Sequence, residues 1–384
     1  MHSVIRRLAA LFVLAIPVAL AADTWGASRI RSAPLREARV LTMTPLAGHA
    51  VVEDGADDDR SESAVVLVVL DGVRWQEIFN GIDPSMARQR RMTSAEPANP
   101  RDLMPNLHRF IESEGLAIGA PGHGGEISAT GPQFISLPGY IEIFAGKPDF
   151  GCYRNDCAPA PARTVADQVE DASGVDDVAL VASWPNIARA ASTAPGFALT
   201  AGRKLVARQD TLRADAATAR LLDQGAHASA FPGEGEYRPD SFTRPIALRV
   251  LASARPRFLF VGLGDADEYA HRNDYRGYLG ALRSSDEFLG ALTETLHSMG
   301  SRGRHTTVLV TTDHGRAYNF MDHGPASPES GRVWLVAAGA DVRGRGLVAA
   351  GRRHTLSDVA PTVRALLGIG EGDAPPIPEI VSAR

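Results

Sequence analysis

Three stretches of the chain are almost continuously apolar and then stop at carboxylates. Ala64-Val65-Val66-Leu67-Val68-Val69-Leu70 ends at Asp71-Gly72. Arg257-Phe258-Leu259-Phe260-Val261-Gly262-Leu263 leads into Asp265 and Asp267, and Thr306-Thr307-Val308-Leu309-Val310 leads into Asp313-His314-Gly315. Runs rich in Val, Leu and Phe without polar alternation predict strands covered on both faces, as in a parallel sheet. Val178 to Ala182 and Val333 to Ala337 are further strand candidates. Helical patterns fall between the strands, over Met104 to Ser113, Thr164 to Glu170, Thr211 to Asp223, Ser241 to Ala254 and Tyr275 to Met299. This alternation predicts an α/β fold with a doubly wound, mostly parallel central sheet and helices on both faces. Ligands of such sheets gather beyond the C-terminal strand ends, where Asp71, Asp267 and Asp313 fall.

The same patterning divides the chain. Arg6 and Arg7 precede an apolar stretch from Leu8 to Leu20 that closes on Ala19-Leu20-Ala21-Ala22, so residues 1–22 read as a secretory signal peptide. An uncleaved anchor is the alternative, opposed by the short apolar run and by Pro17. Residues 23–63 lack a sustained apolar period, carry an acidic patch from Asp54 to Asp59, and read as a flexible tether. Residues 64–370 are expected to form the main folded domain, with 185–240 as a candidate cap insertion and 371–384 as a C-terminal tail. No later stretch is apolar and long enough to span a bilayer, so a periplasmic or secreted destination is expected. In that oxidising setting Cys152 and Cys157 are expected to close a small disulfide loop. A thiolate metal site is the alternative, but two thiolates without neighbouring histidines make a poor zinc site.

Composition narrows the partners. A hydrophobic content of 44% over 384 residues is enough to core one large α/β domain or two ordinary ones. Forty basic against forty-five acidic side chains give a formal charge of -5 without a long basic run, which points away from nucleic acid and anionic membranes and towards a small-molecule substrate.

The candidate chemistry lies in polar residues at the strand ends. Asp71, Asp267 with His271 four residues on, the pair Asp313-His314, and His323 in Asp322-His323-Gly324 make three carboxylates and three imidazoles. Such a mixture suits two divalent cations of borderline softness, with zinc expected, each keeping an open position. Singly, each residue has a plainer reading as a helix cap or an exposed histidine; their joint placement beside a nucleophile is what points to a site. That nucleophile is Ser136, in the segment Gln133 to Gly146. Pro138 suits a first helical turn and Gly146 a helix end, so Ser136 is expected just before a helix N-terminus, where backbone amides face an anion. It can serve as N-cap, as nucleophile, or as both. Attachment to a metal would activate its oxygen without a histidine base.

Asp71-Gly72, the Ser136 segment, Asp267-x-x-x-His271, Asp313-His314-Gly315 and His323-Gly324 together resemble the ordered motifs of the alkaline phosphatase superfamily, nearest its nucleotide pyrophosphatase/phosphodiesterase branch. The resemblance runs from about Val65 to Leu367, and Thr355 to Thr362 is similar to the superfamily's C-terminal helix entry. It implies that Asp267, His271 and His323 bind one metal, and Asp71, Asp313, His314 and Ser136 the other. Asp265 is the rival of Asp267, but the family pattern leaves three residues between that Asp and the His. In the phosphodiesterase branch Thr is commonly the nucleophile, and an Asn shortly after it binds a phosphoryl oxygen. Here these are Ser136 and Gly139, which leaves Asn155, Arg154, Tyr140 and Lys147 as candidates to bind that oxygen. Sulfatases of this fold follow a modified Cys or Ser by Pro and then Arg, and Ser136-Leu137-Pro138-Gly139-Tyr140 lacks the Arg.

The implied activity is exported two-metal phosphoester hydrolysis through a phosphoseryl intermediate. Two cations, three aspartates and a deprotonated serine leave a nearly neutral centre, which favours diesters over monoesters unless Arg74, Arg154 or Arg316 reaches the pocket. A sulfatase, a metal-dependent phosphomutase, and a catalytically silent metal- or phosphate-binding protein are the alternatives.

Overall fold

The computed structural model describes residues 63–92, 99–159, 162–213, 215–340, 342–370 and 374–381. The signal peptide and tether expected over 1–62 lie outside the described residues.

Twelve strands follow one another as β1 (Ala64–Leu70), β2 (Gly115–Ile118), β3 (Ile127–Ser128), β4 (Val178–Ala182), β5 (Ala198–Ala201), β6 (Lys204–Ala207), β7 (Phe258–Leu263), β8 (Thr306–Thr311), β9 (Arg332–Val333), β10 (Leu335–Gly339), β11 (Gly346–Leu347) and β12 (His354–Thr355). Nine of them form one sheet in the order β11-β2-β10-β8-β1-β7-β4-β5-β6, while β12, β3 and β9 form a small second sheet. β1 lies at the centre and pairs in parallel with β7 and β8, and β4 continues the parallel array. β10 runs antiparallel between β8 and β2, and β6 is antiparallel at the far edge. The mostly parallel α/β sheet read from the sequence is borne out.

The continuous apolar runs reflect burial on both faces. Val66, Val68 and Leu70 of β1 join one core cluster, whereas Val65, Leu67 and Val69 join another on the opposite face. The helices Asp240–Ala254 and Tyr275–Ser298 cover the first face; Ser136–Ala145, Val165–Ser173 and Val359–Leu367 cover the second. Among the described residues no helix is long and apolar enough to cross a membrane.

Two segments set apart in the sequence contribute to the main domain. The segment 185–240, expected to be a loop-rich cap, supplies β5 and β6 to the edge of the main sheet, because short stretches such as Ala198–Ala201 pair with β4. The tail expected from 371 onward is packed in part: Ile377 and Ile380 are fully buried in the second cluster, and Glu379 reaches His354 Nε2 at 3.0 Å. The helix expected over Thr211 to Asp223 breaks in two, the second part starting at Ala216 with Asp215 as its side-chain cap.

Candidate metal centre and nucleophile

Three adjacent parallel strands bring the carboxylates together. Asp71 follows β1 directly, Asp313 lies just beyond β8, and Asp267 sits in the helix Asp265–His271 that starts after β7. The register pairs Leu70 with Leu263 and Val69 with Thr311, so the three strand ends are level. The turn after β1 needs glycine twice over: Gly72 has φ +63°, and a Cβ there would stand 2.1 Å from Asp267 Oδ1. Its N–H donates to Asp313 Oδ1 at 3.1 Å, tying the β1 and β8 ends to each other.

Ser136 enters from the helix Ser136–Ala145. Ile135 is the N-cap and makes no side-chain cap bond, so Ser136 is the first helical residue and is not occupied with capping. Its buried Oγ lies 3.4 Å from Asp71 Oδ1 and 3.3 Å from His314 Nε2. His314 Nδ1 is 2.7 Å from the Gly315 carbonyl; donation there leaves the Nε2 lone pair facing the site. Tyr140 donates to Asp71 Oδ2 at 3.0 Å. Asp313 Oδ2 is buried without a hydrogen-bond partner, and ligand atoms of Asp71, Asp313 and His314 all lie within 4.8 Å of one another. Burial, with Asp313 and Asp267 close by, pushes the Asp71 carboxyl well above the usual range. Burial and Asp267 push Asp313 up to about 8, and burial beside His323 holds His314 well below the ordinary imidazole range.

Beside this half of the centre lie Asp267, His271 and His323, and ligand atoms of Asp267, His323 and His314 all fall within 4.8 Å of one another. Four residues apart on one helix, Asp267 and His271 share a face, and Asp267 Oδ2 is 3.0 Å from His271 Nε2. His323 Nε2 approaches His271 Nε2 to 3.0 Å, with its Nδ1 held by the Phe134 carbonyl at 3.1 Å. The His323 ring stacks on His314 at 4.0 Å, which puts His314 at the seam between the halves. The other Asp267 oxygen pairs with the buried guanidinium of Arg316, whose remaining donors go to the carbonyls of Phe320 and Met321. Burial alone would raise Asp267, but Arg316 and His271 outweigh it and hold the carboxyl well below the usual range; Asp267 in turn raises His271, and burial lowers His323.

These donors fit divalent cations. An orphaned carboxylate oxygen faces the first half. In the second, two imidazole nitrogens meet at a distance that requires a proton or a cation between them.

The remaining candidates separate. Asp265 does not join the centre: it accepts from Tyr237 Oη at 2.8 Å and from the Asp240 N–H at 3.2 Å. Asp322 bonds Asn319 within its own loop. Tyr140 is fully buried, and its hydroxyl is committed to Asp71 Oδ2. Arg154 is exposed and paired with Asp156, and Lys147 is exposed. Asn155 does reach Ser136's helix, accepting from the Leu137 N–H at 2.9 Å. That bond takes up an amide expected to face an anion, and it leaves the Asn155 –NH2 group beside the helix start. Asn155 lies inside the loop closed by the Cys152–Cys157 disulfide. Gly139, where the branch pattern has Asn, approaches Asp313 so closely that a Cβ would sit 2.4 Å from its carbonyl oxygen. Arg316, one of the three arginines weighed for reaching the pocket, does come to the centre, as the partner of Asp267.

Residues 244–371 match a family model described as the metalloenzyme superfamily. No curated protein matches the sequence. Among solved structures, the chain is similar to a phosphonate monoester hydrolase of Agrobacterium radiobacter at 15% identity, covering 84% of this chain and 78% of that one with a TM-score of 0.52. A putative sulfatase from Bacteroides thetaiotaomicron is 11% identical over 84% and 75% of the two chains with a TM-score of 0.53. A third structure, solved in complex with its substrate D-glucosamine-2-N,6-O-disulfate, is 13% identical over 83% and 80% with a TM-score of 0.55. At such identities the structural likeness establishes the fold. The chain thus shares its fold with these structures, and residues 244–371, about a third of its length, resemble the metalloenzyme superfamily in sequence.

Proposed function

We propose that the protein is an exported, metal-dependent phosphoester hydrolase in which Ser136 attacks phosphorus. The observation that carries this reading is the Ser136 hydroxyl, buried between Asp71 Oδ1 and His314 Nε2, with no capping role and an orphaned Asp313 oxygen nearby. Asp71, Asp313, His314 and Ser136 would hold one cation and Asp267, His271 and His323 the other, with zinc suggested by the mixed oxygen and nitrogen donors. When bound, such cations lower the proton affinity of an attached oxygen and offset charge on a phosphoryl group.

The chain's own residues supply position. Tyr140 fixes Asp71 and the Gly315 carbonyl fixes His314, so Oγ is held at one place for in-line attack. As Oγ gives up its proton to solvent and the Oγ–P bond forms, the ester P–O bond breaks and the leaving oxygen departs with the electron pair. Water then attacks the phosphoseryl group from the opposite side, the P–Oγ bond breaks, and of the two water protons one returns to Ser136 Oγ and one goes to solvent. The Asn155 –NH2 group is the donor we assign to a non-bridging phosphoryl oxygen.

A diester remains the better substrate match. Arg74 is paired with Glu77, Arg154 with Asp156 and Arg316 with Asp267, so none of these forks is free to receive a second negative oxygen. Arg316 does bring a positive charge near the centre, which narrows the preference. A sulfatase using a modified serine is disfavoured because Tyr140, committed to Asp71, stands where that pattern has Arg. Export is supported by the N-terminal sequence pattern and by the closed Cys152–Cys157 bridge. The test compares rates on a bis(nitrophenyl) phosphate diester, the matching monoester and the matching sulfate with defined zinc. The diester should be fastest, and a sulfate rate above both phosphates would overturn the proposal.

A further inference from the structure

The two halves of the centre differ in charge and in exposure. Asp71 and Asp313 bring two carboxylates to the first half, and both they and His314 are buried. The second half has one ligand carboxylate, Asp267, already ion-paired to Arg316, with Glu268 next to it acting on His271, whose side chain is 45% exposed. We infer that Arg316 makes the Asp267/His271/His323 half the weaker, exchangeable cation site by offsetting the charge of its one ligand carboxylate. This inference rests on the two-cation reading above.

The geometry supports a built device and not a passing surface contact. Arg316 side-chain exposure is 0%, and its donors bind Asp267, the Phe320 carbonyl and the Met321 carbonyl at once. The loop that these bonds tie to Asp267 is the one that delivers His323. Phe320 anchors the loop with φ +75°, a conformation that a bulky residue keeps only when its surroundings enforce it. Tyr275 and Tyr278 meet its ring edge-on at 5.1 Å each, and the guanidiniums of Arg74 and Arg90 lie 5.4 Å from its centroid. Arg316 therefore fixes the placement of Asp267 and His323 while charging the second half against a cation. A guanidinium in direct contact with a ligand carboxylate repels an incoming divalent ion across a partly desolvated path, where charge interactions are only weakly screened. Asp267 offers that ion a single free oxygen, which limits it to one-point coordination.

The test is a titration of the metal-free full-length protein with Zn2+ at pH 8 by calorimetry, with Co2+ absorption as a second readout. Wild type should show two steps of unequal affinity. Asp313→Asn should remove the tighter step, and His323→Ala the weaker. Arg316→Gln should tighten the weaker step by roughly tenfold or more, whereas Arg316→Lys, which keeps the charge, should leave it weak. Two equal steps in wild type, or loss of the tighter step in His323→Ala, would overturn the inference even if the Gln variant failed to fold. An unchanged or weakened second step in a folded Arg316→Gln would overturn it as well. Absence of any binding step in wild type would instead refute the two-cation reading beneath it.

Discussion

Replacing Gly139 by Ala tests how the nucleophile helix sits on the metal-ligand turn. An added Cβ would stand 2.4 Å from the Asp313 carbonyl oxygen and 3.1 Å from Asp313 Cβ. Carbon contacts are comfortable near 3.5 Å, so the helix and the turn must part by roughly 1 Å. Overpacking of this kind costs about 1–3 kcal/mol, partly offset by about 1 kcal/mol of helix propensity gained by Ala over Gly. The net expectation is a loss of up to about 2 kcal/mol, or up to roughly 4–8 °C in Tm. Activity should suffer more, because a 1 Å displacement of Ser136 from its ligands can cost on the order of 100-fold in kcat. Gly280 is the control: it lies in the helix Tyr275–Ser298 and its added Cβ meets nothing within 4 Å. Gly280→Ala should stabilise by about 0.5–1 kcal/mol and leave kcat unchanged. Thermal melts and kcat on a chromogenic diester would decide the matter. A Gly139→Ala protein as stable and active as Gly280→Ala would refute the close packing of this helix on Asp313.

Asp267→Asn should abolish one metal-binding step, and Asp265→Asn should leave both, because Asp265 is committed to Tyr237 and Asp240; equilibrium dialysis with zinc distinguishes the two, and the opposite outcome would exchange their roles. Burial and the adjacent Asp240 push Asp265 up to about 8, above its value of 3.8 in an unfolded chain. Its contribution is therefore fully present at low pH and lost as pH rises through about 8. Wild-type Tm should accordingly fall relative to Asp265→Asn between about pH 4 and 8 and level off above, and parallel curves across that window would contradict the assignment. Asp71 and Asp313 are raised in the metal-free state, so zinc loading near pH 7 should release protons to an indicator dye, and loading without release would mean that these carboxylates were already ionised.

The centre of the fold was legible because its strands are buried on both faces and so write unbroken apolar runs. β1, β7 and β8 were found for that reason, and with them the positions of Asp71, Asp267 and Asp313. The edges were not legible. β5 and β6 are four residues each, too short to separate from loop, and the antiparallel setting of β10 is a pairing that no local pattern records. Ile377 and Ile380 are isolated apolar residues in a segment with prolines at 375, 376 and 378, with nothing to mark their burial. At the site, motif spacing found the ligand candidates but not their supports. Arg316 lies one residue past Asp313-His314-Gly315, while its partner Asp267 is 49 positions away. Asn155 is 18 residues from the amide it holds. Such pairs depend on how loops return to the strand ends, and loop paths are set by tertiary contacts.

The central claim is that Ser136 becomes covalently bonded to phosphorus during turnover. Acid quenching of the zinc-loaded protein mixed with excess chromogenic diester, followed by digestion and mass spectrometry, tests it directly. The peptide containing Ser136 should carry the phosphoryl group of the substrate, and the Ser136→Ala protein should carry none and release no nitrophenol. Steady release of nitrophenol by Ser136→Ala at the wild-type rate would contradict the account.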